Sequence, residues 1–205
     1  MLTHMTSTPT AADILAQVQT RFKKCLETVT GQIANRPIDS ALDTWLNANL
    51  GTHSAIYREL KQCCEDGVAQ GWLCKYEAGG LRYGRIFKPC LELHGFSVDV
   101  VDMANMAGPH HVHPQGEIDL IMPIEGNATF DGRPAGWLVC PPGSDHSPTV
   151  NHGRALVLYL LPQGDIAFTP GAKTLTRTLN RIGFQVALVS GGFIEVVKPL
   201  ADSLG

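Results

Sequence analysis

Gly108-Pro109-His110-His111-Val112-His113-Pro114-Gln115-Gly116-Glu117 is the stretch on which the rest of the chain is read. Side chains alternate faces along an extended backbone, so His111 and His113 point one way while His110 and Val112 point the other. The result is a pincer of two imidazoles. Pro114-Gln115-Gly116 then turns the chain, and Glu117 opens the apolar run Ile118 to Ile124, within reach of the same point. Further on, the tight turn Cys140-Pro141-Pro142-Gly143-Ser144-Asp145-His146 delivers a third imidazole.

Three imidazoles and one carboxylate are the ligand set of a divalent first-row metal with open positions; iron, manganese, nickel, copper and zinc all suit it. Asp119 shares the face of Glu117, either as an acceptor that orients a ligand imidazole or as an alternative ligand. Against this stands the plainer possibility of polar side chains lining a barrel. The H-x-H, x3, E spacing followed by P-x-G-x2-H resembles the two motifs of the cupin superfamily. Glycine and asparagine spacings around them depart slightly, at Gly108, Gly126 and Asn151. The resemblance implies a cupin-type antiparallel β-barrel (double-stranded β-helix) with His111, His113, Glu117 and His146 as metal ligands. The identity of the ion stays open among iron, manganese, nickel and zinc.

Outward from this stretch, the 205 residues suffice for one domain with a sizeable core and an appendage. A net charge of −3 offers no basic surplus for nucleic acid. Apolar runs such as Ala155 to Leu161 are too short to span a bilayer as a helix. The polar start, Met1 to Pro9, lacks a signal-peptide pattern, and residues 1–10 are expected to be a disordered tail. Six cysteines without framework spacing point to a reducing, cytoplasmic setting.

Residues 11–71 read as helical. Thr10 to Asp13 can cap a helix carrying Ile14, Val18, Phe22, Leu26 and Val29 and ending near Gly31. A second helix is expected from Ser40 to Asn49, and a third from Ser54 to about Gly71. From residue 72 to 168 the pattern turns to strands: Trp72 to Tyr76, Tyr83 to Lys88, Gly95 to Met103, Glu117 to Ile124, Ala128 to Phe130, Gly136 to Cys140 and Arg154 to Leu161. Turn sequences such as Glu125-Gly126-Asn127 and Asp131-Gly132-Arg133-Pro134 separate them. The pattern therefore indicates a mainly β fold, an antiparallel sandwich or barrel preceded by helices, and the cupin resemblance implies the barrel. Residues 169–205 form a short α/β extension with a helix, strand, helix pattern. This part resembles a fragment of a haloacid-dehalogenase-type phosphoserine phosphatase, but no Asp-x-Asp-x-Thr nucleophile motif occurs in the chain.

A longer resemblance runs through Gly71-Trp72-Leu73-Cys74, Arg82 to Pro89, Gly95 to Met103, Gly108 to His111, Gly116 to Leu120 and Ala155 to Pro162. These blocks are similar to the 4-hydroxylaminobenzoate lyase family of nitroarene degradation. The resemblance implies conversion of 4-hydroxylaminobenzoate to protocatechuate with release of ammonia, in a homodimer. In that reaction Glu117 belongs to the metal set, and His110, Asp119, Glu92 and His94, in that order, are candidates to move protons. The aromatic carboxylate calls for a cationic fork from Arg85, with Arg82 and Lys88 as neighbours. Phe96 and Tyr159, with Phe87 and Trp137, can sandwich its ring. The alternatives are a metal-dependent cupin oxygenase acting on a small aromatic acid, and a non-catalytic cupin that binds one.

Overall fold

The computed structural model describes residues 10–162 and 172–183. The chain divides into two compact units, Met1–Gln163 and Gly164–Gly205. Among the described residues the first contains three helices and eight strands. Helix α1 (Ala11–Ile33) starts on the expected box: Thr10 accepts from the Asp13 amide while the Asp13 carboxylate accepts from that of Thr10. Helix α2 (Ser40–Leu50) is capped by Asp39 and stops at Gly51, and α3 (Ala55–Ala69) is capped by Ser54. Each cap supplies an acceptor for first-turn amides that have no partner inside the helix.

The strands are antiparallel throughout: β1 (Tyr76–Ala78), β2 (Leu81–Phe87), β3 (Phe96–Ala107), β4 (His111–His113), β5 (Glu117–Phe130), β6 (Gly136–Cys140), β7 (Ser144–His146) and β8 (Thr149–Pro162). Six form one sheet in the order β1-β2-β3-β8-β5-β6, and β4 pairs with β7 in a separate two-stranded ribbon. The fold is thus mainly antiparallel β with helices at its amino-terminal side, as the periodicity predicts. In the second unit the described element is α4 (Ala172–Arg181), which meets the expected helix. The strand and helix expected beyond it, and the tail at residues 1–9, lie outside the described residues.

Alternation along the central strands sorts the side chains onto two faces. Even positions Val98, Val100, Ile118, Leu120, Met122, Leu156, Leu158 and Leu160 are buried in one core with Phe22, Leu26, Leu46 and Leu60 of the helices. Odd positions Val101, Met103, Ile121, Val157 and Tyr159 form a second core on the other face. Both faces are largely buried, which is why these strands read as near-continuous apolar runs.

Three expectations are corrected here. Trp72 to Tyr76 is not a strand: the amides of Trp72 and Leu73 both bond the Gly67 carbonyl, wrapping the chain around the end of α3, and β1 begins only at Tyr76. The runs Glu117 to Ile124 and Ala128 to Phe130 are one strand, β5, bent by register shifts at Pro123/Glu125 and Gly126/Thr129. Gly126, with φ +67, has the His152 carbonyl oxygen 2.4 Å from where a Cβ would stand, so this glycine marks a bulge and close approach, not a turn. Finally, His146 lies on a short strand, not merely on a turn. Beyond Ile121, where β6 stops pairing, α3 takes over: Tyr57 Oη donates to the Ile121 carbonyl at 3.0 Å and Lys61 Nζ to that of Pro123 at 2.7 Å.

Candidate metal centre

Register in the small ribbon places His111 opposite His146 and Val112 opposite Asp145. His111, His113 and His146 consequently face one way, with ring centroids 4.7–4.8 Å apart in every pairing. A turn closed by the Gly116 amide on the His113 carbonyl then leads to Glu117 at the head of β5. Cys140 is its cross-strand partner. The ligand atoms of His111, His113, Glu117 and His146 all lie within 4.8 Å of one another.

Whether a cation fits this set can be judged from the donors. His113 Nε2, His146 Nε2 and Glu117 Oε1 are buried without a hydrogen-bond partner. Buried polar atoms without partners are costly, and an ion would satisfy these. Two donors each about 2.1 Å from one ion stand at most ~4.2 Å apart, so the set has to close by roughly half an ångström. The residues fit a divalent transition metal.

The electrostatics favour neutral, lone-pair-bearing imidazoles. Burial and then the neighbouring rings push His113 down to about 4, and burial also lowers His111. His113 Nδ1 stands 3.4 Å from Glu117 Oε2, yet a neutral ring makes this contact no ion pair near neutrality. His146 is the exception: burial opposes its charge, but the Asp131 carboxylate, 2.5 Å from Nδ1, outweighs burial and raises it. Burial pushes Glu117 up to about 7 and Asp119, fully enclosed, well above the usual carboxylate range. The two carboxyl groups share one face of β5; Asp119 Oδ2 accepts from the Cys140 thiol at 3.9 Å, and Oδ1 is buried without a hydrogen-bond partner.

Along the same face the register sets a row of side chains, Arg85–Asp99–Tyr159–Asp119, across β2, β3, β8 and β5. Arg85 grips Asp99 through Nε and Nη2 at 2.8–3.2 Å. Tyr159 is 8% exposed and edge-on to Phe130, whose ring also meets His146.

Other candidates fall elsewhere. His110 lies outside the cluster: like Val112 it faces outward from the ribbon, bonded to Asp145 at 2.7 Å, with both side chains 60% exposed. Phe96 is an even-numbered residue of β3 and packs into the helix-side core, as do Phe87 and Trp137. Trp137 Nε1 donates to the Leu50 carbonyl. His94 is spent on Thr30 of α1, Glu92 is exposed, and Arg82 is paired with Asp102. A groove of about 750 Å³ between α1 and the β1–β2 hairpin, lined among others by Lys23, Lys24, Trp72, Lys75 and Tyr76, includes none of the four donors. Asp131 was missed by the sequence reading, which took Asp131-Gly132 as a turn and nothing more.

Comparison with known proteins agrees with the longer resemblance. The family profile for PnbB, 4-hydroxylaminobenzoate lyase, matches residues 24–168. A 4-hydroxylaminobenzoate lyase of Nocardioides is 34% identical over 69% of this chain and 90% of that protein. One of Pseudomonas putida is 30% identical over 67% of this chain and 88% of its own length. A phosphoserine phosphatase of Streptomyces coelicolor is 51% identical over 43 residues, 21% of this chain but 10% of the phosphatase. Among solved structures, an RmlC-like cupin of Shewanella frigidimarina is 21% identical with a TM-score of 0.33, covering 44% of this chain and 83% of that one.

Proposed function

Since the chain belongs to the 4-hydroxylaminobenzoate lyase family, and is a lyase, we propose that it converts 4-hydroxylaminobenzoate to 3,4-dihydroxybenzoate and ammonia at a divalent metal held by His111, His113, Glu117 and His146. Overall the N–O bond breaks, the elements of water are added and the nitrogen leaves as ammonia. The observation that carries the metal reading is the convergence of four donors, three of whose atoms are buried without partners. When bound, the cation supplies Lewis acidity at the oxygen that departs from nitrogen.

The remaining roles belong to the chain itself. Asp119, buried on the face of Glu117, keeps its proton and is the acid placed to deliver it. Arg85, on the same face, offers its unused guanidinium edge to the substrate carboxylate while Asp99 fixes its orientation. Tyr159 walls the site for an aromatic ring. His110 and Phe96 have no part in this arrangement. The six cysteines are all free thiols, which suits a cytoplasmic enzyme, and a homodimer is the expected assembly, to be checked by sedimentation.

The deciding assay is ammonia release from 4-hydroxylaminobenzoate under strict anaerobiosis, before and after chelation and metal return. Anaerobic turnover that disappears with the metal and returns with it supports the reading. A requirement for oxygen, or full activity after complete chelation, overturns it.

A further inference from the structure

We infer that Asp131 is a positioning residue: it fixes the His146 imidazole with its proton on Nδ1, so that Nε2 turns its lone pair toward His111, His113 and Glu117. The inference rests on the metal reading for its purpose but on the hydrogen bonds around Asp131 for its substance. Asp131 and Gly132 form a two-residue hairpin turn between β5 and β6, closed by reciprocal 2.9 Å bonds between Phe130 and Arg133. Both turn residues have positive φ, +49 and +75, a geometry that asparagine, aspartate and glycine accept. Turn preference alone would explain an aspartate here. It does not explain what the carboxylate does.

One oxygen, Oδ1, accepts from the Thr149 amide at 2.7 Å, and the Asp131 amide donates back to the Thr149 carbonyl at 2.9 Å. The other, Oδ2, lies 2.5 Å from His146 Nδ1. An ionised carboxylate only accepts, so the ring nitrogen facing it must carry the proton. The turn is itself held from behind, where Arg133 reaches Asp43 of α2 at 2.8 Å. In the neutral ring Nε2 is then the bare nitrogen; it is the buried atom without a partner, 3.7 Å from Glu117 Oε1. His111 is arranged in the same manner, its Nδ1 lying 3.0 Å from the Pro109 carbonyl. Acceptors behind a ligand imidazole select its tautomer and aim its lone pair.

Two variants preserve the turn and alter the carboxylate: Asp131→Asn, whose single acceptor oxygen cannot serve both the Thr149 amide and the ring, and Asp131→Gly, which has none. The metal-free protein, 15N-labelled at histidine, is examined by NMR for the His146 tautomer, and zinc is titrated into the same samples. The wild type is expected to show the proton on Nδ1. Both variants should shift toward the Nε2-protonated form and bind zinc roughly 10- to 100-fold more weakly, with unchanged circular dichroism. An unchanged tautomer, or unchanged zinc affinity beside a tight wild-type site, overturns the inference. If the wild type binds no zinc, or any other of the candidate metals, the metal reading falls by itself, and the tautomer shift alone decides what Asp131 does.

Discussion

His111 and His146 sit directly opposite each other in the β4–β7 ribbon, ring centroids 4.8 Å apart, although all of β5 and β6 lies between them in the chain. Their meeting therefore depends on the whole sheet closing, not on local sequence. Replacing either with alanine should remove bound metal and abolish ammonia release, while the two hydrophobic cores, which neither ring belongs to, keep the metal-free protein folded. Elemental analysis and the ammonia assay on the same preparation check this. A metal-free His111→Ala or His146→Ala enzyme with wild-type turnover would falsify the metal mechanism.

Glu117 ties metal affinity to pH. Burial holds its carboxyl up at about 7 in the metal-free protein, so below that pH an incoming cation must expel a proton. Apparent affinity should rise with pH through the region around 7, with proton release on binding that fades as Glu117 and then His146, which Asp131 also raises, give up their protons. Glu117→Gln should flatten the profile and weaken binding. Calorimetric titrations in buffers of different ionisation heat measure both quantities; a pH-independent affinity in the wild type refutes the assignment.

Arg85 and Asp99 are 14% and 10% exposed at their side chains and bonded twice over, so removing one strands the other. Arg85→Ala should raise KM for 4-hydroxylaminobenzoate at least ~10-fold, and leaving Asp99 buried without its partner should cost stability of the order of 3 kcal/mol. Asp99→Asn separates these effects: it weakens the pair yet leaves the guanidinium in place, so KM should rise far less than in Arg85→Ala. A folded Arg85→Ala enzyme with unchanged KM removes Arg85 from the substrate site.

Much of this was legible in the sequence because it depends on period alone. Alternation within one strand is enough to put His111 and His113 together and His110 apart from them, and the one capping box, at Thr10 and Asp13, and the glycine stops bound the helices to within a few residues. What the sequence withheld needs register between strands. Phe96 and Tyr159 both read as strand aromatics, but only the Phe96–Pro162 and Asp99–Tyr159 pairings assign them to opposite faces. Asp131-Gly132 is recognisable as a turn, whereas the reach of its carboxylate to His146 exists only once Thr149 is paired beside it. Gly126 carries the same local signal as a turn glycine, and its bulge is defined by the His152 carbonyl across the strand gap.

The edge strand β6 gives a last prediction, on stability. Beside β6, Asn47 of α2 stands in for a missing strand: Nδ2 donates to the Trp137 carbonyl and Oδ1 accepts from the Trp137 amide, each at 2.9 Å. The fit is close, since Gly136 would place a Cβ only 2.6 Å from Oδ1. This side-chain amide satisfies two backbone groups that the sheet leaves open, and it blunts an edge on which another chain could pair. Asn47→Ala should therefore cost about 1–3 kcal/mol by urea denaturation, because the Trp137 amide loses its partner and the carbonyl keeps only Arg133 Nη2 at 3.3 Å. Asn47→Asp keeps the acceptor but loses the donor and adds charge beside Asp43, whose carboxylate already receives the Val139 amide. It should be destabilised as well. The four metal donors lie on other elements, so zinc affinity of the folded variants should match wild type; an Asn47→Ala protein as stable as wild type would show that β6 docks through Trp137 packing alone.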